Sequence, residues 1–185
     1  MKVKGTAIKT TRDFVKTKYT KDYDKWLNSL PPESKKFFEG SLDVTEWFPL
    51  KEAYKIPILK ISEMFFSGNN KECAEAIGYY SADVALKGFY KVFLLVASPN
   101  YLAQRASKII TTFYQPSAVE TVSLSPNSTA IRVTEFAEMD NTLEYRFGGW
   151  CKRALELSNC KNVNFKIKSS LAKGDDCTEI VFTWE

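Results

Sequence analysis

Polar side chains that could contact a ligand are concentrated in the middle of this 185-residue chain, on segments with helical spacing. Tyrosine hydroxyls and one carboxylate project from otherwise apolar helices, and an arginine follows on the next helix. A guanidinium at that position could hold a ligand carboxylate or phosphate through paired hydrogen bonds. We therefore predict a small-molecule pocket between the helical part of the chain and a C-terminal sheet. Its candidate ligand-binding residues are Tyr79, Tyr80, Asp83, Tyr90, Arg105 and Trp150.

The same residues also have structural interpretations. Asp83 and Lys87 are four residues apart on a helix and can form a surface ion pair. The chain has 9 tyrosines and 13 phenylalanines, and such rings readily fill a space because native interiors leave few voids. Polar groups beside an apolar interior nevertheless need partners, which favours a ligand. We expect a partly filled pocket that accepts a small amphipathic molecule, and we expect Arg105→Ala to weaken ligand binding more than it lowers stability.

The composition excludes several kinds of catalytic and cofactor site. The chain has no histidine, which removes histidine-ligated zinc and haem and every Ser-His-Asp or Cys-His nucleophile. The four cysteines are scattered without CxxC spacing and match no zinc or iron-sulfur motif, so we expect reduced, packed thiols. We predict no catalytic residue, no metal site and no cofactor, although chemistry by tyrosine, lysine, cysteine or paired carboxylates stays open.

The scattered cysteines and the hydropathy indicate a cytoplasmic protein. No apolar run approaches the roughly 18 to 20 residues of a membrane span, and the first residues lead into a polar segment rather than a signal-peptide core.

The first 25 residues carry eight basic side chains against three acidic ones, a larger excess than the +4 net charge of the chain. Because acids are interleaved and no RNA-binding motif accompanies them, this pattern favours a solvated helix face over a basic surface for nucleic acid or anionic lipid. Nucleic acid is therefore disfavoured as a partner.

The region 118–184 reads as two β-hairpins with one helix between them. Apolar and polar side chains alternate along 163–168 and 180–184, the period of strands with one buried face. Between the hairpins, Leu143, Phe147 and Trp150 recur at helical spacing. We predict a four-stranded antiparallel sheet of ββαββ order, with a helix over 140–158 packed against one of its faces.

The first part of the chain, residues 1–117, is predicted to be mainly helical. Residues 3–8 alternate loosely and could form a short strand before the first helix. No internal repeat or low-complexity linker divides the sequence. We therefore predict a single α+β domain over 1–185, in which the helical part packs against the sheet part at 118–185.

Glycines inside two of the helical patterns indicate close helix contacts. Gly78 has small residues near it, which would let another helix approach. Gly148 and Gly149 lie within the helix between the hairpins, where each costs about 1 kcal/mol relative to alanine. We expect a close approach of another element, or a local opening of the helix, to compensate at Gly148 and Gly149.

A set of short motifs along the chain is similar to those of a known family. They are Lys4-Gly5, Arg12-Asp13-Phe14-Val15, Trp47-Phe48-Pro49, Ser98-Pro99, Gly149-Trp150, Leu171-Ala172-Lys173-Gly174-Asp175 and the strand ending in Trp184. Through them almost the whole chain resembles an uncharacterised bacterial family sometimes called Mxa_TIGR. That family is similar in architecture to haem NO-binding (H-NOX) domains, 4-vinyl reductase domains and TRAPP subunits, which join a helical part to a four-stranded antiparallel sheet.

The resemblance implies a small-molecule-binding or protein-binding module used in sensing or regulation. H-NOX domains hold haem through a proximal histidine and a Tyr-x-Ser-x-Arg pattern, and this chain has neither. Haem is therefore not expected, and no family residue can be transferred to this chain as a ligand. What the resemblance implies is the fold and a pocket between helices and sheet.

Three functions remain open from the sequence. The first is a non-catalytic sensory or regulatory module with an apolar or amphipathic small-molecule ligand, which an internal cavity would favour. The second is a TRAPP-like protein-protein interaction module or homodimer, which a large exposed apolar patch would favour. The third is an enzyme of unknown reaction, by analogy with 4-vinyl reductase, which converging polar groups with shifted pKa values would favour.

Overall fold

A computed structural model describes residues 1–87 and 108–185 of the chain. The first range contains strand β1 (Lys2–Lys4), helices α1 (Gly5–Lys18), α2 (Tyr23–Ser29) and α3 (Pro32–Lys35), strand β2 (Trp47–Pro49), a π-helical segment (Lys51–Lys55), and helices α4 (Ile56–Phe65) and α5 (Asn70–Lys87). The second range opens with helix α6, described over 108–113. It continues with strands β3 (Tyr114–Gln115), β4 (Ala118–Ser125) and β5 (Ser128–Glu135), helix α7 (Asn141–Leu157), and strands β6 (Asn164–Ser169) and β7 (Thr178–Thr183).

The predicted ββαββ unit is confirmed. Strands β4 to β7 form one antiparallel sheet in the order β4-β5-β7-β6, and α7 connects its two hairpins. Asp140 caps α7 by accepting a hydrogen bond from the backbone nitrogen of Leu143 at 2.9 Å. The helix packs on the sheet face that carries Phe165 and the fully buried Ile180 and Phe182. The alternation read from the sequence therefore corresponds to a real buried face.

A second, smaller sheet was not predicted. Its strands lie in the order β2-β1-β3, so β1 is paired on both sides. The strand suggested over 3–8 ends at Lys4, because helix α1 already begins at Gly5. Gly5 packs tightly against the loop before β2, and a Cβ there would lie 2.2 Å from the carbonyl oxygen of Asp43. A side chain would not fit at this corner, where the chain passes from strand to helix, so the position requires glycine.

Helices α5 and α7 pack closely through two glycines, as their sequence context predicted. A Cβ on Gly78 would lie 2.3 Å from the carbonyl oxygen of Arg146, and one on Gly149 would lie 2.3 Å from that of Glu75. Each glycine therefore faces the backbone of the other helix. This contact fixes the distance between the two helices that supply most of the polar groups described below.

Most of the thiols and several large aromatic side chains are packed in the interior of the described part of the chain. All four cysteines are free thiols, and three of them are buried. The helical part is built on fully buried Trp26, Leu50 and Tyr54, with aromatic contacts extending toward α7. Among residues 1–87 and 108–185, no helix is both long and apolar enough to cross a membrane.

Candidate ligand-binding site

A cavity of about 120 Å³ lies where α1, α5, α6 and α7 meet. Its walls are mainly apolar, and small alanine side chains on α1 and α5 leave the space that larger residues would occupy. The dimensions are comparable to an engineered cavity of about 150 Å³ that binds benzene in another protein. The cavity can therefore hold a small organic molecule. Its described lining includes Ala7, Ala85, Ile110, Phe113, Trp150 and Cys151.

A buried polar cluster forms one wall of this cavity. Arg146 on α7 is 5% exposed and donates through Nε to the hydroxyl of Tyr54 and through Nη2 to Oγ of Ser81 at 2.8 Å. Tyr114 donates its hydroxyl to the same Tyr54 oxygen at 2.9 Å. Three of these side chains, those of Ser81, Tyr114 and Arg146, line the cavity directly. Within the described part of its wall, this apolar space thus has a single charged group.

The charge on Arg146 has no acidic partner. Burial acts to lower its pKa, but the neighbouring oxygens of Tyr54 and Tyr114 outweigh that effect and the pKa is raised, so the guanidinium is ionised. Among the described residues, no carboxylate forms a salt bridge with it, and its buried Nη1 has no hydrogen-bond acceptor. Residues 88–107 contain neither aspartate nor glutamate. The chain therefore offers this cation only neutral oxygens.

Burial suppresses the acidity of Tyr114 and Cys151, the two other titratable groups in the described part of the cavity lining. It raises the pKa of Tyr114 well above the usual tyrosine range and raises the pKa of the Cys151 thiol to about 12. Both groups are consequently protonated near neutral pH. Neither is prepared to act as a base or as an anionic nucleophile.

Two of the predicted ligand-binding residues lie together in a different place. Tyr79 donates its hydroxyl to Oε2 of Glu156 at 2.8 Å, and the guanidinium of Arg153 lies 4.6 Å from the centre of the Tyr79 ring. Arg153 also donates to Asp83 at 2.7 Å and to Glu156 at 3.1 Å. These residues form a partly exposed network between α5 and α7, and they are not among the described residues that line the cavity.

The other predicted site residues are divided between the cavity, the α1 side and the undescribed range. Trp150 lines the cavity. Tyr80 points toward α1, where its hydroxyl lies 3.1 Å from Oγ1 of Thr17 and its ring packs edge-on against Phe14. Tyr90 and Arg105 belong to residues 88–107 and lie outside the described residues. Their suggested contribution to ligand binding stays a prediction.

The sequence analysis overlooked the polar cluster formed by Tyr54, Ser81, Tyr114 and Arg146. One local signal was available, because Arg146 lies three residues after Leu143 and four before Trp150. That spacing places a charged side chain on the apolar stripe of α7. A charge on a buried helix face requires a partner, which makes it a better indicator of a site than the tyrosines on α5.

Comparisons with known proteins identify the fold. No protein-family model and no curated protein matches the chain. An H-NOX protein from S. oneidensis in the Fe(II)NO ligation state superposes with a TM-score of 0.74 at 12% identity, over 98% of this chain and 99% of that one. The Fe(II) unliganded H-NOX protein from K. algicida gives 0.68 at 12% identity, over 98% and 96%. A mutant of T. tengcongensis H-NOX gives 0.67 at 13% identity, over 98% and 97%. The architecture is therefore H-NOX-like, and at these identities the likeness concerns the fold.

Proposed function

We propose that this H-NOX-like chain is a non-catalytic module that binds a small molecule in the cavity between α1, α5, α6 and α7 and serves in sensing or regulation. The observation that carries the proposal is the apolar cavity with the buried, acid-free cation of Arg146 in its wall. The S. oneidensis protein, described in an NO-ligated Fe(II) state, lends support because a protein of the same fold takes a small ligand.

Haem is not the ligand that we propose. The whole sequence lacks histidine, and the Cys151 thiol at the cavity has a pKa raised to about 12, which disfavours the thiolate that iron would require. The hydroxyls of Tyr54 and Tyr114 are engaged with each other, and that of Tyr54 also with Arg146. A cavity of about 120 Å³ is also smaller than the roughly 300 Å³ at which ordinary cofactor pockets begin. The described donors therefore do not fit a haem.

Titration with haemin tests this part of the proposal. We expect weak, nonspecific absorbance changes without a sharp Soret band at one-to-one stoichiometry, because no described side chain is prepared to ligate the iron. Variants Cys151→Ser and Tyr114→Phe serve as comparisons. A sharp stoichiometric band that one of these substitutions abolishes would establish that cysteine or tyrosine replaces histidine as the iron ligand, and our proposal would then be wrong.

The properties of the cavity favour binding over catalysis. An enzyme that used tyrosine or cysteine would need one of these groups to lose its proton near neutral pH. The raised pKa values of Tyr114 and Cys151 oppose that. Arg146 is held by Tyr54 and Ser81, and its raised pKa leaves it no titration near neutral pH. The site is consequently better suited to hold a molecule than to transform it.

A thermal-shift screen of fatty acids, sterols and aromatic acids tests ligand binding. We expect small amphipathic members to raise the melting temperature, because a ligand that binds only the folded chain stabilises it. Ala85→Leu adds volume at the cavity wall and should abolish the shift, whereas Ala172→Leu, an exposed position before β7, should preserve it. If no compound shifts the unmodified chain, the sensory proposal fails.

A TRAPP-like interaction module or homodimer is the second candidate. It draws support from the edge strand β4, whose Leu124 is 49% exposed. The other exposed large hydrophobic residues of the described ranges, Leu59 and Val84, lie on α4 and α5 rather than beside it. Native mass spectrometry reports subunit number and retained ligand together, so a ligand-free dimer would favour this candidate over the first.

Two finer assignments are also proposals. Membership of the Mxa_TIGR family, with its 4-vinyl reductase-like relatives and bacterial origin, rests on the short motifs distributed along the sequence. A cytoplasmic location is supported by four free cysteines, which are typical of a reducing compartment.

A further inference from the structure

The strongest unexplained feature of the molecule is the positive charge of Arg146. A guanidinium removed from water loses its hydration, and neutral hydroxyls replace only part of it. Here the side chain is 5% exposed and is bonded to Tyr54 and Ser81. A buried charge without a partner is strongly unfavourable in proteins, so a cation without an acid is expected to recruit an anion when a space beside it permits one.

The number of free donors on this guanidinium can be counted. Arginine has five N–H donors. One bond from Nε to Tyr54 and one from Nη2 to Ser81 leave three, of which two belong to the unpartnered Nη1. Donors on both terminal nitrogens therefore remain without an acceptor among the described residues, and a carboxylate is the acceptor that a guanidinium binds most strongly.

The other residues that line the cavity determine the chemistry of the rest of the ligand. Thr6 and Thr10, the hydroxyl residues on the α1 wall, already donate to backbone carbonyls at 2.9 and 2.8 Å. The lining also includes large apolar side chains such as Phe113 and Trp150. An anion with an apolar body is therefore accommodated, whereas an anion that is polar throughout would lose its hydration without compensation. One cation also neutralises one negative charge, which favours a monoanion over a phosphate dianion.

We propose that the cavity binds a small monocarboxylic acid of aromatic or short aliphatic type, whose carboxylate pairs with the guanidinium of Arg146 and whose apolar body contacts Phe113 and Trp150. The proposal rests on the function proposed above, because it specifies the ligand class of that same cavity. The anion-binding role that the sequence predicted for Arg105 is thereby assigned to Arg146, which the structure describes.

The test compares three ligands that differ only at the head group. Benzoate, benzyl alcohol and benzylamine are titrated into the unmodified chain by isothermal titration calorimetry. We expect benzoate to bind at least about tenfold more tightly than benzyl alcohol, because charge-assisted hydrogen bonds are stronger than neutral ones. Benzylamine should give no measurable binding, since it would place a second cation beside the first.

Variants then assign the preference to one residue. Arg146→Met should reduce benzoate binding at least about tenfold and leave benzyl alcohol within about twofold, because only the acid depends on the charge. Arg153→Met changes an arginine on the same helix that is paired with Asp83 and Glu156, and it should alter neither affinity. Because the acid-to-alcohol ratio is measured first in the unmodified chain, the preference for a carboxylate is tested even if Arg146→Met does not fold.

The outcomes separate this inference from the function on which it rests. Equal binding of benzoate and benzyl alcohol, blocked by Ala85→Leu, would overturn the carboxylate assignment and leave a small-molecule site. A preference for benzoate that survives in Arg146→Met would overturn the role of Arg146. Absence of binding by all three compounds and by their hexanoate, hexanol and hexylamine counterparts would overturn both proposals.

Discussion

Gly149→Ala is expected to destabilise the chain by about 2 kcal/mol or more, although alanine is the better helix former by about 1 kcal/mol. The new Cβ would lie 2.3 Å from the carbonyl oxygen of Glu75 on α5. A backbone atom in a packed helix cannot move aside alone, so the two helices must separate, and overpacking of this kind typically costs about 1 to 3 kcal/mol or more. Urea denaturation followed by circular dichroism measures the change.

The neighbouring residue provides the matched control. A Cβ on Gly148 would lie 2.3 Å from the outer edge of the Phe165 ring rather than from backbone. An aromatic side chain can rotate away, and the gain in helix propensity offsets the remaining strain. Gly148→Ala should therefore change the free energy of unfolding by less than about 1 kcal/mol. If the two substitutions cost the same, the close contact between α5 and α7 does not have the energetic role assigned to it.

Tyr54→Phe is expected to have the largest effect in the polar cluster, a loss of about 3 kcal/mol or more. The Tyr54 hydroxyl accepts bonds from both Arg146 and Tyr114, so its removal takes an acceptor from a buried cation and from a buried hydroxyl. Each group left unsatisfied costs about 1 to 3 kcal/mol, and the charged one costs more. The measurement is the midpoint and slope of a urea unfolding curve.

Comparing Tyr114→Phe with Tyr54→Phe distinguishes two losses of stability. One is the loss of the acceptor that bonds the Arg146 cation, and the other is the loss of a single neutral hydrogen bond. Tyr114 donates its hydroxyl to Tyr54, and its oxygen contributes less than that of Tyr54 to the raised pKa of Arg146. After the substitution, the Tyr54 oxygen still accepts from Arg146. The loss should therefore be about 1 kcal/mol, the ordinary value for one net hydrogen bond. A larger loss in Tyr114→Phe than in Tyr54→Phe would mean that the guanidinium is stabilised mainly from elsewhere.

The sheet part of the fold was predictable because its signals are local. Each β-strand of the second hairpin carries its own alternation, and the helix between the hairpins carries its own apolar stripe. The glycines Gly78 and Gly149 could also be interpreted correctly, since glycine inside a helix is unfavourable unless something close requires it. In all these features the sequence signal lies within a few residues of the position concerned, although the cause of the glycines is a contact with another helix.

The small sheet and the polar cluster were not predictable in the same way. Strand β1 has three residues and β3 has two, which is too short for a period to be recognised. The polar cluster joins side chains from four separate segments, and their neighbourhood depends on how the helices pack. Tyr79 and Tyr80, which are consecutive, diverge toward α7 and α1 because adjacent helical residues point about 100° apart.

The small sheet also bears on the order in which the chain folds. Strand β1 pairs with β2 through Val3 and Phe48 and with β3 through Val3 and Tyr114. The second pairing closes a loop of more than a hundred residues, and contacts of such long range form late, because the entropy of the loop must be lost before they are made. Thr6 and Ala7 follow β1, and Tyr114 lies on β3, so two walls of the cavity are aligned only when this sheet closes. During synthesis, we therefore expect the amino-terminal strand to wait for its second partner and the cavity to be completed among the last parts of the molecule.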